Sequence, residues 1–245
     1  MMLRIIDVSH AYGTVPALSS ISFDVHQGAM GVIGPNGSGK STLLNIIAGA
    51  MKPQKGAIWW GGANLTTLPP HRIACRGISR MSQHSHISGD LTVSENISLG
   101  IYGFHGGLRL RWPPTTASLV REAAALCGID SGRLTAYPRQ LSFFEQRMTE
   151  LARCIVSAST QLLLLDEPTA GFADLEKKRV FSILSTLKTK MTILLVEHDL
   201  DFIQEVSDCL AVMAEGKLLS IGEPAFVLKE PRVLDTYLGT KYVAG

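Results

Sequence analysis

The segment Gly34-Pro35-Asn36-Gly37-Ser38-Gly39-Lys40-Ser41-Thr42 constrains the fold more than any other part of the 245-residue chain. The apolar run Ala29 to Ile33 before it reads as a strand, and Ser41 to Ala48 after it reads as a helix. Three glycines in six residues let the backbone turn so that successive N–H groups face one point. The start of the helix adds unpaired N–H groups and a partial positive charge on the same side. Strand, glycine-rich turn and helix in that order make a cradle for phosphate. The pattern G-x-x-x-x-G-K-[ST] in that context predicts Lys40 on the β- and γ-phosphates of a nucleotide and the Ser41 hydroxyl on Mg²⁺.

The rest of the chain fits a parallel sheet covered on both faces. Leu162 to Leu165 and Met191 to Val196 are continuous apolar strands, separated by a helix over Leu175 to Leu187. A helix after Leu200 and a strand over Leu210 to Met213 follow. Near the N-terminus, Leu3 to Val8 and Leu18 to Val25 read as strands around a turn at Tyr12-Gly13-Thr14. Ala57 to Trp60 and Ile78 to Met81 are further strands. From about His84 to Val156 the spacing becomes helical, over Ser94 to Leu99, Ala117 to Cys127 and Glu145 to Val156. Loops at Gly106-Gly107 and Pro113-Pro114 interrupt this mostly helical insertion.

Composition excludes several classes. A net charge of +2 is too weak to argue for nucleic acid or an acidic membrane surface. A mean hydropathy of +0.19 fits a doubly covered sheet or a surface that docks something apolar. Cys75, Cys127, Cys154 and Cys209 are scattered without metal-ligand spacing, and read as reduced thiols of a cytosolic chain. The first residues turn acidic at Asp7, too soon for a signal peptide. No apolar run approaches the roughly 20 residues that span a bilayer, so in a membrane process another chain must cross. Leu108-Arg109-Leu110-Arg111-Trp112 reads as a solvated loop in preference to a lipid contact.

Three further clusters carry chemistry. Leu162 to Leu165 runs into Asp166-Glu167, which places two carboxylates at the edge of the sheet. Asp166 is expected to bind Mg²⁺ through water, and Glu167 to orient or deprotonate the attacking water. His198, after the next buried strand, sits where a sensor of the γ-phosphate belongs, although a lone histidine there is also an ordinary cap. Ser142-x-x-Glu145 before an apolar helix is a capping box. A well-capped helix accounts for it. It also aims a helix N-terminus at a phosphate, though not the one on this chain's own loop.

These elements, in this order, resemble the ATP-binding cassette (ABC) family over nearly the whole chain, from about Leu3 to Gly239. The resemblance implies an α/β fold: a P-loop NTPase core with a mostly parallel sheet and helices on both faces, an N-terminal antiparallel β subdomain and an inserted α-helical subdomain. The expected division is core over 1–83, insertion over 84–156, and core with a C-terminal helix over 157–245. Tyr12 then looks like the aromatic that stacks on adenine. Gln83 resembles the glutamine that senses Mg²⁺ and water at the junction with the insertion. Leu91-Thr92-Val93-Ser94-Glu95-Asn96 lies near the surface where such chains receive a membrane subunit. Ser142 contacts the γ-phosphate held by an opposite subunit, so that two ATP molecules are buried between two cassettes.

The resemblance further implies an ATPase at the cytoplasmic face of the plasma membrane. Its partners are permease subunits, a second ATPase chain or copy, and indirectly a solute-binding protein. Val196-Glu197-His198-Asp199 and the tail Pro231 to Gly239 look like importers of branched-chain amino acids, urea or short amides, and Ala170-Gly171-Phe172-Ala173-Asp174 looks more like the urea branch. Exporters of lipopolysaccharide share a similar Tyr-Leu-Gly tail. Cassettes in translation or DNA repair usually carry two cassettes or a long coiled coil, absent here. Two positions depart from the pattern. Phe144 stands where the family has glycine, and Ala173 where many members have Asp or Asn. Phe144 keeps a regulatory or weakly hydrolysing cassette as the rival reading.

Overall fold

In the computed structural model, residues 1–84, 86–105 and 116–242 are described, without the side chains of 102–105 and 237–242. The strands in chain order are β1 (Leu3–Tyr12), β2 (Val15–Val25), β3 (Gly28–Ile33), β4 (Lys55–Trp60), β5 (Ala63–Asn64), β6 (Ile78–Met81), β7 (Leu162–Asp166), β8 (Thr192–Val196), β9 (Cys209–Ala214) and β10 (Lys217–Gly222). The helices are α1 (Lys40–Ile47), α2 (Pro70–Ala74), α3 (Val93–His105), α4 (Thr116–Leu126), α5 (Phe143–Ile155), α6 (Asp174–Leu187), α7 (Leu200–Val206), α8 (Pro224–Val227) and α9 (Pro231–Tyr242).

Two sheets result. The antiparallel one has the order β2-β1-β4-β5, and the other has the order β10-β9-β3-β8-β7-β6. The second is parallel except where β10 pairs with β9. Its register fixes the site: Met81 pairs with Leu165, Asp166 with Val196, and Val32 with Val196. The carboxyl ends of β3, β6, β7 and β8 therefore reach one edge together, and the loops that leave them converge there.

Strand β7 shows why its apolar run is unbroken. Leu163 and Leu165 belong to a core shared with Ile97, Met148 and Leu151 of the helical insertion. Leu162 and Leu164 belong to a second core, shared with Leu43, Leu44 and Ile47 of α1 and with Leu3, Ile5 and Ile21 of the antiparallel sheet. Alternate side chains face opposite layers, and both layers are dry. The insertion thus completes its core against the sheet.

The differences from the sequence reading lie where burial is weak. β1 and β2 run on to Tyr12 and from Val15, because backbone pairing around Gly13 (φ 62°) carries exposed residues that no apolar pattern marks. β5, β10, α2 and α8 leave little or no sequence signal: the helices have five and four residues, and β10 buries only Ser220. Gly106-Gly107, Leu108 to Trp112 and Pro113-Pro114 lie outside the described residues.

Candidate nucleotide site

The loop after β3 is closed by its own lysine. Lys40 opens α1, is 6% exposed, and donates from Nζ to the carbonyls of Gly34 (2.7 Å) and Pro35 (2.9 Å). Burial lowers its pKa; Glu167 and Asp166 oppose that shift. Gly39 (φ 99°) packs so close to the sheet that a Cβ there would stand 2.4 Å from the Ala17 carbonyl oxygen. Gly37 (φ 80°) has nothing within 4 Å of that position, so its side of the loop is open to a ligand. The Ser38 hydroxyl is buried without a hydrogen-bond partner. Asn36 and Ser41 are exposed beside it, and Thr42 is half-buried.

The carboxylates stand at the end of β7. Asp166 is buried; its Oδ2 is paired with Arg80 Nη2 at 3.1 Å, and its Oδ1 lies 3.5 Å from Ser41 Oγ. Arg80 also donates to Asn45 Oδ1 at 2.6 Å. Burial raises the pKa of Asp166, and Arg80 is the main opposing influence. Glu167 takes a left-handed backbone (φ 49°), unusual for a side-chain-bearing residue, and its N–H donates to the Val196 carbonyl at 2.9 Å. Its two oxygens meet the two residues predicted to share its work. Gln83 Nε2 donates to Oε2 at 2.8 Å, and His198 Nε2 lies 2.7 Å from Oε1.

Tyr12, at the end of β1, stands over the start of α1. Its hydroxyl lies 3.5 Å from Thr42 Oγ1 and 3.3 Å from Met51 Sδ, and its ring meets His10 edge-on at 5.2 Å. At 53% exposure it offers a ring to a planar base. Ser142 is not drawn into this cluster. It caps α5, accepting from Glu145 N–H at 3.2 Å while its own N–H donates to Glu145 Oε2 at 2.8 Å. Phe144 turns its ring away from that N-terminus onto Phe172, at 5.1 Å between centroids, with the Arg179 guanidinium 5.9 Å above it. Phe143 also meets Phe172, at 5.9 Å, yet stays 53% exposed. The Ala173 N–H donates to Glu176 Oε2 at 2.9 Å, which closes the turn without an Asp or Asn side chain; Asp174 follows, exposed, as the first residue of α6.

Residues 18–170, more than half of the chain, match the family described as ABC transporter. This chain belongs to the ABC transporter family. LivG of Escherichia coli, a high-affinity branched-chain amino acid transport ATP-binding protein, is 33% identical over 243 residues, covering 93% of this chain and 94% of LivG. MetN of Thermobifida fusca, a methionine import ATP-binding protein, is 34% identical over 94% of this chain and 72% of its own length. Among solved structures, the ADP conformation of an ATP-binding cassette of an ABC transporter superposes with a TM-score of 0.85 at 27% identity, covering 97% of this chain and 98% of that one. A dimeric cassette bound to ADP and phosphate shares the fold, with a TM-score of 0.79 at 21% identity over 91% and 98% of the two chains. Membership makes this chain an ATP-binding and ATP-hydrolysing cassette.

The donors of this ABC cassette fit Mg²⁺. A hydroxyl, a carboxylate and an amide oxygen on Ser41, Asp166 and Gln83 are hard ligands. Among the described residues no group of three or more His, Cys, Asp and Glu could hold a metal alone, so water and phosphate oxygens would complete the shell. The open side of Gly37 fits a phosphate in the cradle. Several site residues escaped the sequence reading. Arg80 is a charge in the short strand β6, between the buried Ile78 and Met81. Glu197 is buried and accepts from the N–H and hydroxyl of Thr169 (2.9 and 2.6 Å) and from the His198 N–H (3.2 Å), tying the two loops together. Burial raises its pKa against those hydrogen bonds. Arg147 and Glu150 are buried inside α5, where nothing local marks them as partners of the site.

Proposed function

We propose that this chain is one of two ATPase subunits of an importer of small amino acids or amides. It would sit peripherally at the cytoplasmic face of the plasma membrane, beneath permease subunits fed by a solute-binding protein. The observation that carries the catalytic reading is the meeting of Gln83 and His198 on the two oxygens of Glu167, beside the loop of Lys40. Lys40 and the N–H groups of 34–42 bind the phosphates; Tyr12 stacks on the base. Ser41, Asp166 and Gln83 would hold Mg²⁺, which neutralises charge on the β- and γ-phosphates when bound. Glu167 orients water and accepts its proton. Both its oxygens are engaged at rest, so one contact opens to admit water.

Ser142 caps α5 within its own turn, and the N–H groups of Phe143 and Phe144 stand in the first turn, where a helix offers them to an anion. This supports a sandwich in which a second cassette brings its nucleotide to that end. The core at 1–83 and 157–245 then carries one nucleotide, and the insertion at 84–156 carries the surface for the other. No helix among the described residues is long and apolar enough to cross a membrane. That agrees with a peripheral subunit.

For the solute, coverage of LivG along nearly its full length supports branched-chain amino acids, with urea and short amides as the sister classes. The test is ATPase activity of the complex rebuilt in vesicles with permease, second ATPase and solute-binding protein. Stimulation by leucine, isoleucine or valine is expected. Stimulation by methionine alone would transfer the assignment, and stimulation by none of these amides or amino acids would remove it. Phe144 favours a second reading, a weakly hydrolysing cassette whose partner completes the faster site.

A further inference from the structure

A ladder of buried charges joins α5 to the segment that carries Gln83. Arg147 Nη1 donates to the Ser82 carbonyl at 2.7 Å and to Glu150 Oε2 at 2.8 Å, and its Nη2 reaches the Glu167 carbonyl at 3.5 Å. Glu150 uses its other oxygen for the His86 N–H (3.3 Å) and for Arg153 Nη2 (3.4 Å). Arg153 Nη1 in turn donates to the His86 carbonyl at 2.8 Å. Ser82 and His86, on either side of Gln83, are thus both fastened to one helix. The side chains of Arg147 and Glu150 are 2% and 1% exposed.

Burying an ion pair is poor value for stability, since desolvation offsets most of the attraction and apolar residues of equal volume do as well. Its neighbours Met148, Leu151 and Ala152 show that this stretch of α5 accepts apolar side chains. A buried pair does fix geometry, because every donor has one place to go. Here the geometry fixed is the position of Gln83 against Glu167.

We infer that Glu150 is a positioning residue for hydrolysis: through Arg147 and Arg153 it locks the Gln83 segment to α5, so that any shift of the helix end bearing Ser142 is passed to Gln83. The inference rests on the ATPase reading of Gln83 and Glu167.

The experiment is a double-mutant cycle of Glu150→Gln with Gln83→Ala, read as kcat and KM in the assembled ATPase. Amide exchange is measured alongside on the isolated, nucleotide-free chain. Glu150→Gln keeps the shape and removes the charge. Its expected effect is kcat lower by about tenfold, with KM for ATP within about twofold. In the Gln83→Ala background the same substitution should cost less than about threefold, because the group it positions is gone. The His86 amide should exchange about tenfold faster, while amides of α1, β7 and β8 keep their protection. Arg153→Gln, at a residue only partly buried, should reproduce the His86 effect if Glu150→Gln folds poorly. Multiplicative losses in the cycle, protection lost throughout α5 and β7, or unchanged His86 exchange in both variants would overturn the inference. A wild-type complex without turnover would instead refute the ATPase reading, and the exchange data would still decide whether the ladder holds His86.

Discussion

The two ends of this cassette that we propose face nucleotide are built on different terms. Around the loop of 34–42, Lys40, Asp166 and Glu167 each have a partner. Lys40 is held by its own loop, Asp166 by Arg80 and Ser41, and Glu167 by Gln83 and His198. At the N-terminus of α5 the contacts are local and apolar. Ser142 is satisfied by Glu145, and Phe143 and Phe144 lean on Phe172. The first end is arranged by long-range pairing of polar groups, and the second by a capping box and an aromatic cluster. A substitution at the first end therefore breaks a contact between distant segments, whereas a change at Phe143 or Phe144 leaves the cap made by Ser142 and Glu145 in place.

Four substitutions sharpen that comparison. The largest effect is expected from Lys40→Ala, which removes the buried cation from the cradle and should weaken MgATP binding or turnover by about 1,000-fold. A nucleotide titration with Mg²⁺ and a steady-state ATPase assay measure it; unchanged values would remove the loop from the mechanism. Glu167→Gln should bind ATP and slow its hydrolysis by at least about 100-fold. Trapped ATP should then favour the closed dimer with the correct partner, seen by size-exclusion chromatography. Wild-type turnover in this variant would mean that Glu167 does not act on water.

Smaller changes are expected where groups are exposed. Tyr12→Ala should raise the KM for ATP by about 5- to 10-fold with kcat unchanged, the lower end of what base stacking contributes, since the ring is half in solvent. A drop in kcat alone would reassign Tyr12. Phe144→Gly is the smallest and the most telling. The sequence by itself suggests a roughly 3- to 30-fold gain in hydrolysis at one of two sites, by letting a phosphate approach the helix end. The ring already lies aside on Phe172, so a gain of about threefold is expected. Loss of the aromatic contact and a glycine in the first turn should cost about 2 kcal/mol, a Tm lower by about 4–8 °C. Lower turnover in a fully assembled, folded complex would contradict both views of Phe144.

Most of the loop's backbone conformation was legible because it is local. A strand, a glycine-rich turn and Lys40-Ser41 specify a cradle within nine residues, and the apolar runs that end at Asp166 and before Glu197 place their carboxylates at a sheet edge. The capping box at Ser142 and Glu145 is local as well, and it formed as read. Arg80, Arg147, Glu150 and Glu197 were not legible as members of the site. A buried charge shows in sequence only as a polar residue in an apolar pattern, and that pattern does not name its partner.

The chain's own order of residues therefore determined the α/β alternation, the phosphate loop and the family, since these depend on backbone conformation and hydrophobic period along short stretches. The tertiary structure decided which loops meet. The parallel register that sets Met81, Leu165 and Leu195 level brings Gln83, Glu167 and His198 to one point, although 115 positions separate the first from the last. It also decided that Phe144 folds onto Phe172 and away from the helix end. That choice follows from the burial of an aromatic ring against a distant loop, which no spacing within α5 could specify.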